Sequence, residues 1–415
     1  MTPLRIILLL LGVFGAVTRP RRLPAWSFPL AAVGIELAVG AVSTADARSA
    51  LDPLRAPIGF LLAAVPLAAL LDRLGFFSSM AALLIRGRHG LGGLWAMAAV
   101  VVALLNLDAA VVLLTPLYVG IARRTGRDPL LFALPPVLLA CLASSVLPVS
   151  NLTNLIAAAR TGARSGAFLA NLGLPSLVAV GVGWLSYQKL VKGAGARRRA
   201  ASRDETAAAV AEVVDRQALL IGGLLMAAVL TGFVAGHAVG IEPWVVAVAG
   251  DAVMLLAFAF VRADGASALA VVWRSVPLGT AVVALSLGVL ADAAAVHLHV
   301  DRLISGTSTA DLARTAALSA LAANLFNNLP ALLVALPALG RHVTPTLWAV
   351  LLGVNMGPVL LATGSLASLL WLETLGRLGV EAHARDFGRA GALVGLPAAG
   401  AGLAALLLVH AFGWG

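Results

Sequence analysis

Apolar runs of about 15 to 25 residues follow one another along the whole chain, separated by short polar clusters rich in Arg, Asp and Pro. Runs of that length and purity predict membrane-crossing helices rather than core helices of a soluble domain. They lie at about 4–17, 25–44, 57–72, 91–121, 129–159, 167–190, 218–239, 243–261, 275–296, 311–340, 346–373 and 390–413. The first resembles a secretory signal in length. It is followed by Arg19-Pro20-Arg21-Arg22 instead of small residues suited to cleavage, so it is expected to be retained as a helix.

Two runs are too long for one plain crossing and carry polar breaks. Segment 91–121 breaks at Asn106-Leu107-Asp108, and basic residues flank both ends: Arg86, Arg88 and His89 before it, Arg123, Arg124 and Arg127 after it. Two basic ends predict a re-entrant hairpin with both ends in the cytoplasm. Segment 311–340 breaks at Asn327-Asn328-Leu329-Pro330 and is expected to be a second hairpin. The longest basic loop runs from Lys189 to Arg203, with Lys192, Arg197, Arg198 and Arg199 between. With that loop placed inside, Arg19–Arg22, Arg73–Arg88, Arg123–Arg127, Arg262–Arg274 and Arg377–Arg389 also fall inside, and both termini fall outside. The expected architecture is an all-α polytopic membrane protein of about ten transmembrane helices plus two re-entrant hairpins.

The order crossing, crossing, hairpin, broken crossing, crossing occurs twice with opposite orientation. Four regions follow: an N-terminal helix and basic loop over 1–24, a first repeat over 25–190, a cytoplasmic linker and connecting helix over 191–242, and a second repeat over 243–415. Asn106 precedes Pro116 as Asn327 precedes Pro337, by ten residues in each case. Each hairpin is followed by a span with a helix-breaking centre, Pro148-Val149-Ser150-Asn151-Leu152-Thr153-Asn154 in the first unit. In the second it is Asn355-Met356-Gly357-Pro358 followed by Thr363-Gly364-Ser365. Inverted repeats with discontinuous helices are a mark of secondary transporters.

Composition narrows the choice. Of 415 residues 60% are hydrophobic and 12% charged, against about 25% charged in soluble proteins, so a soluble globule is excluded. The net charge of +10 sits in short loops, where topology requires it, and does not point to nucleic acid. A single cysteine, Cys141, rules out a disulfide framework and any metal site built on several thiolates; it is expected to be a packing residue. No Gly-Lys-Ser or Gly-Lys-Thr occurs, so the chain does not drive itself with ATP, and Ser150 has no His–Asp company of a nucleophile. No cofactor and no enzymatic activity are expected.

Unwound backbone at membrane depth is tolerated only where protein buries it or it lines a cavity. Paired breaks therefore predict a central polar site. Its lining would be Asn106, Ser150, Asn151, Thr153 and Asn154 from one half and Asn327, Asn328, Asn355, Thr363 and Ser365 from the other. The plainer alternative is that these groups are helix caps and interhelical glue. Intramembrane acids are costly and mark proton or cation relays. Asp108, beside the expected site, is the first candidate for proton coupling, followed by Asp251 and Asp292, while Glu373 is expected at an interface. His297 and His299 fall at an external end.

These residues resemble the ArsB-type arsenite efflux permeases of the ion transporter superfamily, relatives of dicarboxylate and NhaD-type carriers. The resemblance rests on Leu71-Asp72-Arg73-Leu74-Gly75-Phe76-Phe77, Asn106-Leu107-Asp108-Ala109-Ala110 running to Leu114-Thr115-Pro116, and Val149-Ser150-Asn151-Leu152-Thr153-Asn154. It continues through Asn327-Asn328-Leu329-Pro330 and Gly353-Val354-Asn355-Met356-Gly357-Pro358 to Gly364-Ser365-Leu366-Ala367-Ser368-Leu369-Leu370-Trp371. It implies extrusion of arsenite and antimonite in exchange for protons across a bacterial inner membrane, and some such proteins also work with a partner ATPase. Two departures bear on the coupling ion. The family's adjacent Asn-Asp is split here by Leu107, and the stretch Ala140-Cys141-Leu142-Ala143-Ser144-Ser145 lacks an acid expected before the first break. Arsenite at neutral pH is mostly an uncharged trihydroxide, which amides and hydroxyls suit. The alternatives are a sodium-coupled anion carrier of the dicarboxylate type and a sodium–proton antiporter. A non-transporting scaffold or an intramembrane enzyme ranks below both.

Overall fold

The computed structural model describes residues 2–19, 23–86, 90–199, 214–236, 240–260, 262 and 264–413. Arg21, Arg22, Arg88, His89, Arg203 and most of the linker after Arg199 lie outside the described residues. The chain is all-helical, a polytopic membrane protein as expected, and no strand occurs among the described residues.

The first part runs α1 (Thr2–Thr18), α2 (Ser27–Ala38), α3 (Thr44–Leu51), α4 (Arg55–Arg73), α5 (Phe76–Arg86), α6 (Gly90–Leu104), α7 (Leu107–Arg124), α8 (Pro129–Leu142), α9 (Leu152–Thr161), α10 (Ser165–Phe168) and α11 (Leu174–Arg199). Then come α12 (Arg216–Gly236), α13 (Pro243–Phe260), α14 (Gly265–Ser275), α15 (Leu278–Leu298), α16 (Val300–Leu303), α17 (Thr309–Phe326) and α18 (Asn328–Ala335). The chain closes with α19 (Pro345–Met356), α20 (Leu366–Arg377), α21 (Ala384–Ala390) and α22 (Leu396–Ala411).

Among the described residues six helical stretches are long and apolar enough to cross a bilayer: Thr44–Arg73, Ser165–Gly193, Arg216–Phe233, Pro243–Phe260, Gly265–Ala295 and Ala384–Ala411. The expected span over 25–44 is shorter as a helix. α2 has 12 residues, about 18 Å at 1.5 Å per residue. The chain turns at Gly40, whose φ is +66°, and the amides of Ala41 and Val42 fold back on the Glu36 carbonyl. A capping box between Ser43 and Asp46 then starts α3, so residue 44 belongs to the next helix.

The two expected hairpins are helix–turn–helix units, α6–α7 and α17–α18. The two spans expected to be discontinuous are interrupted. Between α8 and α9 the chain leaves α-helix at Ala143 and passes a 3₁₀ turn at Pro148–Ser150. Between α19 and α20 it passes a similar turn at Ala362–Gly364. A further element appears twice: α10 passes into α11 through a π turn at Leu169–Gly173, and α21 into α22 through one at Gly391–Gly395. Both precede a Leu-Pro pair, Leu174-Pro175 and Leu396-Pro397. A proline removes the amide that an α-helix would need there, and widening by one residue accommodates the loss.

Packing sorts the helices into two cores, and these do not follow chain order. The first core gathers α4–α8 and α12–α14 with Ala367, Trp371 and Leu375 of α20. The second gathers α1, α2, α11, α15, α17–α19 and α22 with Leu152, Ile156 and Ala157 of α9. The second arms of the broken spans thus cross between the cores: α20 packs on α7, and α9 lies between α4 on one side and α18 and α19 on the other. Trp371 locks one of these crossings by donating to the Ala133 carbonyl at 2.7 Å. α12–α14 form an outer group on α4, tied at one end by Arg73–Asp264 at 2.5 Å and Arg262–Asp215 at 2.7 Å. Asp215 also caps α12, and the Ala218 amide, followed by Arg262, holds its carboxyl below the ordinary range. Large apolar side chains such as Phe260 and Leu177 stand exposed on the outside, as lipid-facing helices require.

Candidate solute site between the broken helices

Four helices begin at the same place. α7, α9, α18 and α20 are capped by Asn106, Asn151, Asn327 and Ser365, and each cap uses one geometry. The side-chain oxygen accepts from the amide two residues on: Asp108 at 2.9 Å, Thr153 at 3.2 Å, Leu329 at 3.3 Å and Ala367 at 3.3 Å. Short polar side chains suit this position because they satisfy an otherwise orphaned helical N–H. Asn106 and Asn327 take positive φ values of 147° and 80°, which L residues rarely adopt.

The four N-termini wall one cavity of about 250 Å³. Its lining includes Leu107 and Asp108, Asn151 to Thr153, Asn327 to Pro330, and Ser365 with Leu366, Leu369 and Leu370. Gly279, Thr280, Val283 and Leu287 of α15 close one side, and Val13, Val17, Arg19 and Trp26 of the α1–α2 pair stand at its mouth. Converging N-termini give the cavity a positive potential without a basic side chain deep inside it. Among the described residues Asp108 supplies the one acidic group of the lining, and its buried Oδ1 has no hydrogen-bond partner there. Arg19 is engaged by Glu373 at 3.3 Å, and Glu373 also receives Arg377 at 2.6 Å.

Behind the lining a buried amide network joins the halves. The Asn355 oxygen accepts from Asn151 Nδ2 at 2.9 Å and from Thr153 Oγ1 at 2.7 Å, while Asn355 Nδ2 donates to Asn154 Oδ1 at 2.6 Å. Asn154 Nδ2 in turn donates to the Ser144 and Leu147 carbonyls, both at 2.8 Å. Ser150 donates to the Ala103 carbonyl of α6 at 2.5 Å, and Asn327 Nδ2 to the Thr363 carbonyl at 3.1 Å.

Of the residues expected at the site, Asp108, Asn151, Thr153, Asn327, Asn328 and Ser365 line the cavity. Asn106, Ser150, Asn154, Asn355 and Thr363 stand behind it as caps, struts or, for Thr363, a carbonyl that accepts from Asn327. Asp251, half-buried on α13, and Asp292, exposed on α15, lie away from it. Glu373 holds Arg19 at the mouth and so sits at an interface. Cys141 is buried, its thiol toward the Pro358 carbonyl at 3.6 Å. Asn324 is a residue of the site that was not expected from the sequence; it pins the second break to its hairpin, donating to the Gly357 carbonyl at 2.7 Å and accepting from the Leu361 amide at 3.1 Å. Its place three residues before Asn327 in a long apolar run was a usable signal. The contribution of α1, α2 and α15 had none, since nothing in their sequences marks the cavity.

A second cavity, of about 280 Å³, reaches the first break from elsewhere. It is lined by Pro148, Val149 and Leu155 with Ala56, Pro57, Gly162 and Glu242. Segment 148–155 therefore separates two cavities.

The sequence profile of the citrate transporter family CitMHS matches residues 4–353. The chain belongs to that family. Proteins similar to it include the arsenical pump membrane proteins of Yersinia enterocolitica, 27% identical over 95% of each chain, and of Escherichia coli, 28% identical over 92% of this chain and 93% of that one. In fold it is similar to the YdaH transporter of Alcanivorax borkumensis, with a TM-score of 0.60 and 17% identity over 86% of both chains. The citrate-transporter-family protein is thus a membrane transporter of the inner membrane and not an enzyme, in line with its sequence.

Proposed function

We propose that this transporter extrudes arsenite and antimonite, as neutral trihydroxides, in exchange for protons by alternating access. The observation that carries the reading is the cavity itself: four capped helix N-termini, amides and hydroxyls, and one acid, Asp108, around about 250 Å³. Helix N-termini favour electron-rich oxygens, and a trihydroxide presents three of them together with donors for the amide oxygens. Weak, reversible hydrogen bonding permits release, and a single cysteine excludes capture by three thiolates within one chain.

Asp108 is the proposed coupling group. Ionised, it sits in the field of the four N-termini; protonated, it leaves that field to the oxygens of a solute. Exchange of a neutral solute for a proton moves one charge inward, to which the membrane potential contributes about 2.3 kcal/mol per 100 mV. The cavity opens at Arg19 and Trp26 and at the start of α15, ends that the basic-loop pattern assigns to the cytoplasm. This supports an inward-open state, with segment 148–155 as the partition to the outer cavity. An ATPase subunit, where present, would be a separate chain.

The citrate-transporter family name and the four N-termini favour one second reading, a sodium-coupled carboxylate carrier. A polycarboxylate calls for more cationic partners than Arg19, the one basic side chain of the lining among the described residues, which is already held by Glu373. Everted vesicles separate the two. Arsenite uptake driven by an acidic interior and indifferent to sodium is expected, with Asp108→Asn reducing it at least about tenfold (about 1.4 kcal/mol of coupling). Full proton-driven uptake in Asp108→Asn would remove Asp108 from the mechanism, and sodium-driven citrate flux without arsenite flux would replace the reading.

A further inference from the structure

Glu36 lies near the end of α2, away from the cavity, with no exposed surface. Neither of its carboxyl oxygens has a hydrogen-bond partner among the described residues. α2 packs against α1 and α15, and α15 against α3. The charged or titratable groups on these helices near that end are Arg5 on α1, Asp292 and His297 on α15, and Asp46 and Arg48 on α3. Arg5 is tied to the turn that follows Glu36: it donates to the Ala41 carbonyl, and the Ala41 amide folds back on the Glu36 carbonyl. Yet its two terminal nitrogens are committed elsewhere, Nη2 to the Ala41 carbonyl and Nη1 to His297 Nε2 at 3.1 Å, while its buried Nε has no hydrogen-bond partner among the described residues.

A buried carboxylate without a partner is costly, and two changes relieve the cost: a proton on the acid, or a cation brought against it. Both are within reach here. With Glu36 protonated, Arg5 stays on Ala41 and His297; with Glu36 ionised, Arg5 has reason to leave them for the carboxylate. That exchange would shift α1 against α2 and α15. The same α1–α2 pair and α15 wall the solute cavity further along, through Val13, Trp26 and Thr280. A change of partner at Arg5 can therefore reach the cavity mouth through rigid helices.

We propose that Glu36 is a proton-binding site of this transporter, separate from the solute cavity, whose carboxyl alternates between a proton and Arg5. On the proposed orientation it lies toward the outer face, where protons enter. Its part in transport rests on the proton-exchange reading above; its protonation does not.

The test has two arms. In the first, purified full-length protein is treated with dicyclohexylcarbodiimide, which attacks protonated carboxyls in apolar surroundings, and modified peptides are mapped by mass spectrometry from pH 6 to pH 9. Modification of Glu36 that falls severalfold as pH rises is expected. Absence of modification at every pH overturns the proposal, whatever the transport reading. In the second, Glu36→Gln and Glu36→Asp are compared in everted vesicles for pH-driven arsenite uptake and for gradient-free arsenite exchange. Glu36→Gln is expected to lose driven uptake at least tenfold more than exchange, and Glu36→Asp to recover part of it. Equal loss of both activities in Glu36→Gln, or wild-type driven uptake in it, overturns the coupling role. Glu36 modified in a wild type that shows no pH-driven uptake supports the proton site and overturns the exchange reading instead.

Discussion

Asn355 shows what a single residue does in this fold. It takes two hydrogen bonds and gives a third, all to the first broken span and all out of solvent. Replacing it by alanine leaves Asn151, Thr153 and Asn154 each short of a partner, at about 1 to 3 kcal/mol per stranded group. Asn355→Ala is therefore expected to lower the melting temperature in detergent by clearly more than Ser150→Ala, which forfeits one bond to Ala103; equal melting points would show the network to be dispensable. At this scale the sequence was informative because amides are rare in lipid-facing helices. A polar residue inside an apolar run must find a partner or line a cavity. The sequence did not separate those two fates, since capping, strut and lining roles draw on the same side chains. Asn151 does all three, while Asn154 is a strut alone.

Among elements, the breaks were legible and the supports around them were not. Pro148, Asn151, Pro358 and Ser365 mark chain that cannot continue as α-helix, and the structure interrupts both spans there. The π turns passed unnoticed because Gly173-Leu174-Pro175 and Gly395-Leu396-Pro397 are apolar and leave the hydropathy pattern intact. The second of them has a structural task. A Cβ on Gly391 would lie 1.6 Å from the Val359 carbonyl oxygen, so the π turn and the second break touch through backbone. Gly391→Ala is expected to destabilise strongly, by several kcal/mol or about the cost of an overpacked core site or more. Gly400→Ala, on the same helical stretch with nothing within 4 Å, should be neutral or gain up to about 1 kcal/mol. Thermal melts and the yield of monodisperse protein distinguish them, and equal behaviour would mean that the close approach relaxes at little cost.

For the whole molecule the deciding feature is that the second arms of the broken spans reach across between the two cores. α20 leaves the half that precedes it in the chain and packs on α7, while α9 lies between α4 of its own half and α18 and α19 of the other, which brings four helix N-termini to one point. The orientation proposed above makes that point accessible from the cytoplasm. Thr280→Cys, in the cavity wall, should react with a membrane-impermeant maleimide at least about tenfold faster in everted than in right-side-out vesicles, Cys141 being buried. Arsenite should slow that reaction. Faster labelling from the outer side would invert the assigned topology and with it the direction of the open cavity.

By itself the sequence determined that this chain lives in a membrane, where its helices break, and which few polar residues stay inside. Lipid imposes those outcomes locally: every apolar run must be helical, and every break must be sheltered. Which sheltered residues face a cavity, which brace it and which lie apart was decided by the tertiary structure. Asp108 lines the cavity while Asp251 and Asp292 do not, and Glu36, unremarkable inside an apolar run, is fully enclosed. The reason is geometric. A hydropathy pattern records depth and length along each helix, but the rotation of a helix and the partner it packs against depend on contacts between residues hundreds of positions apart.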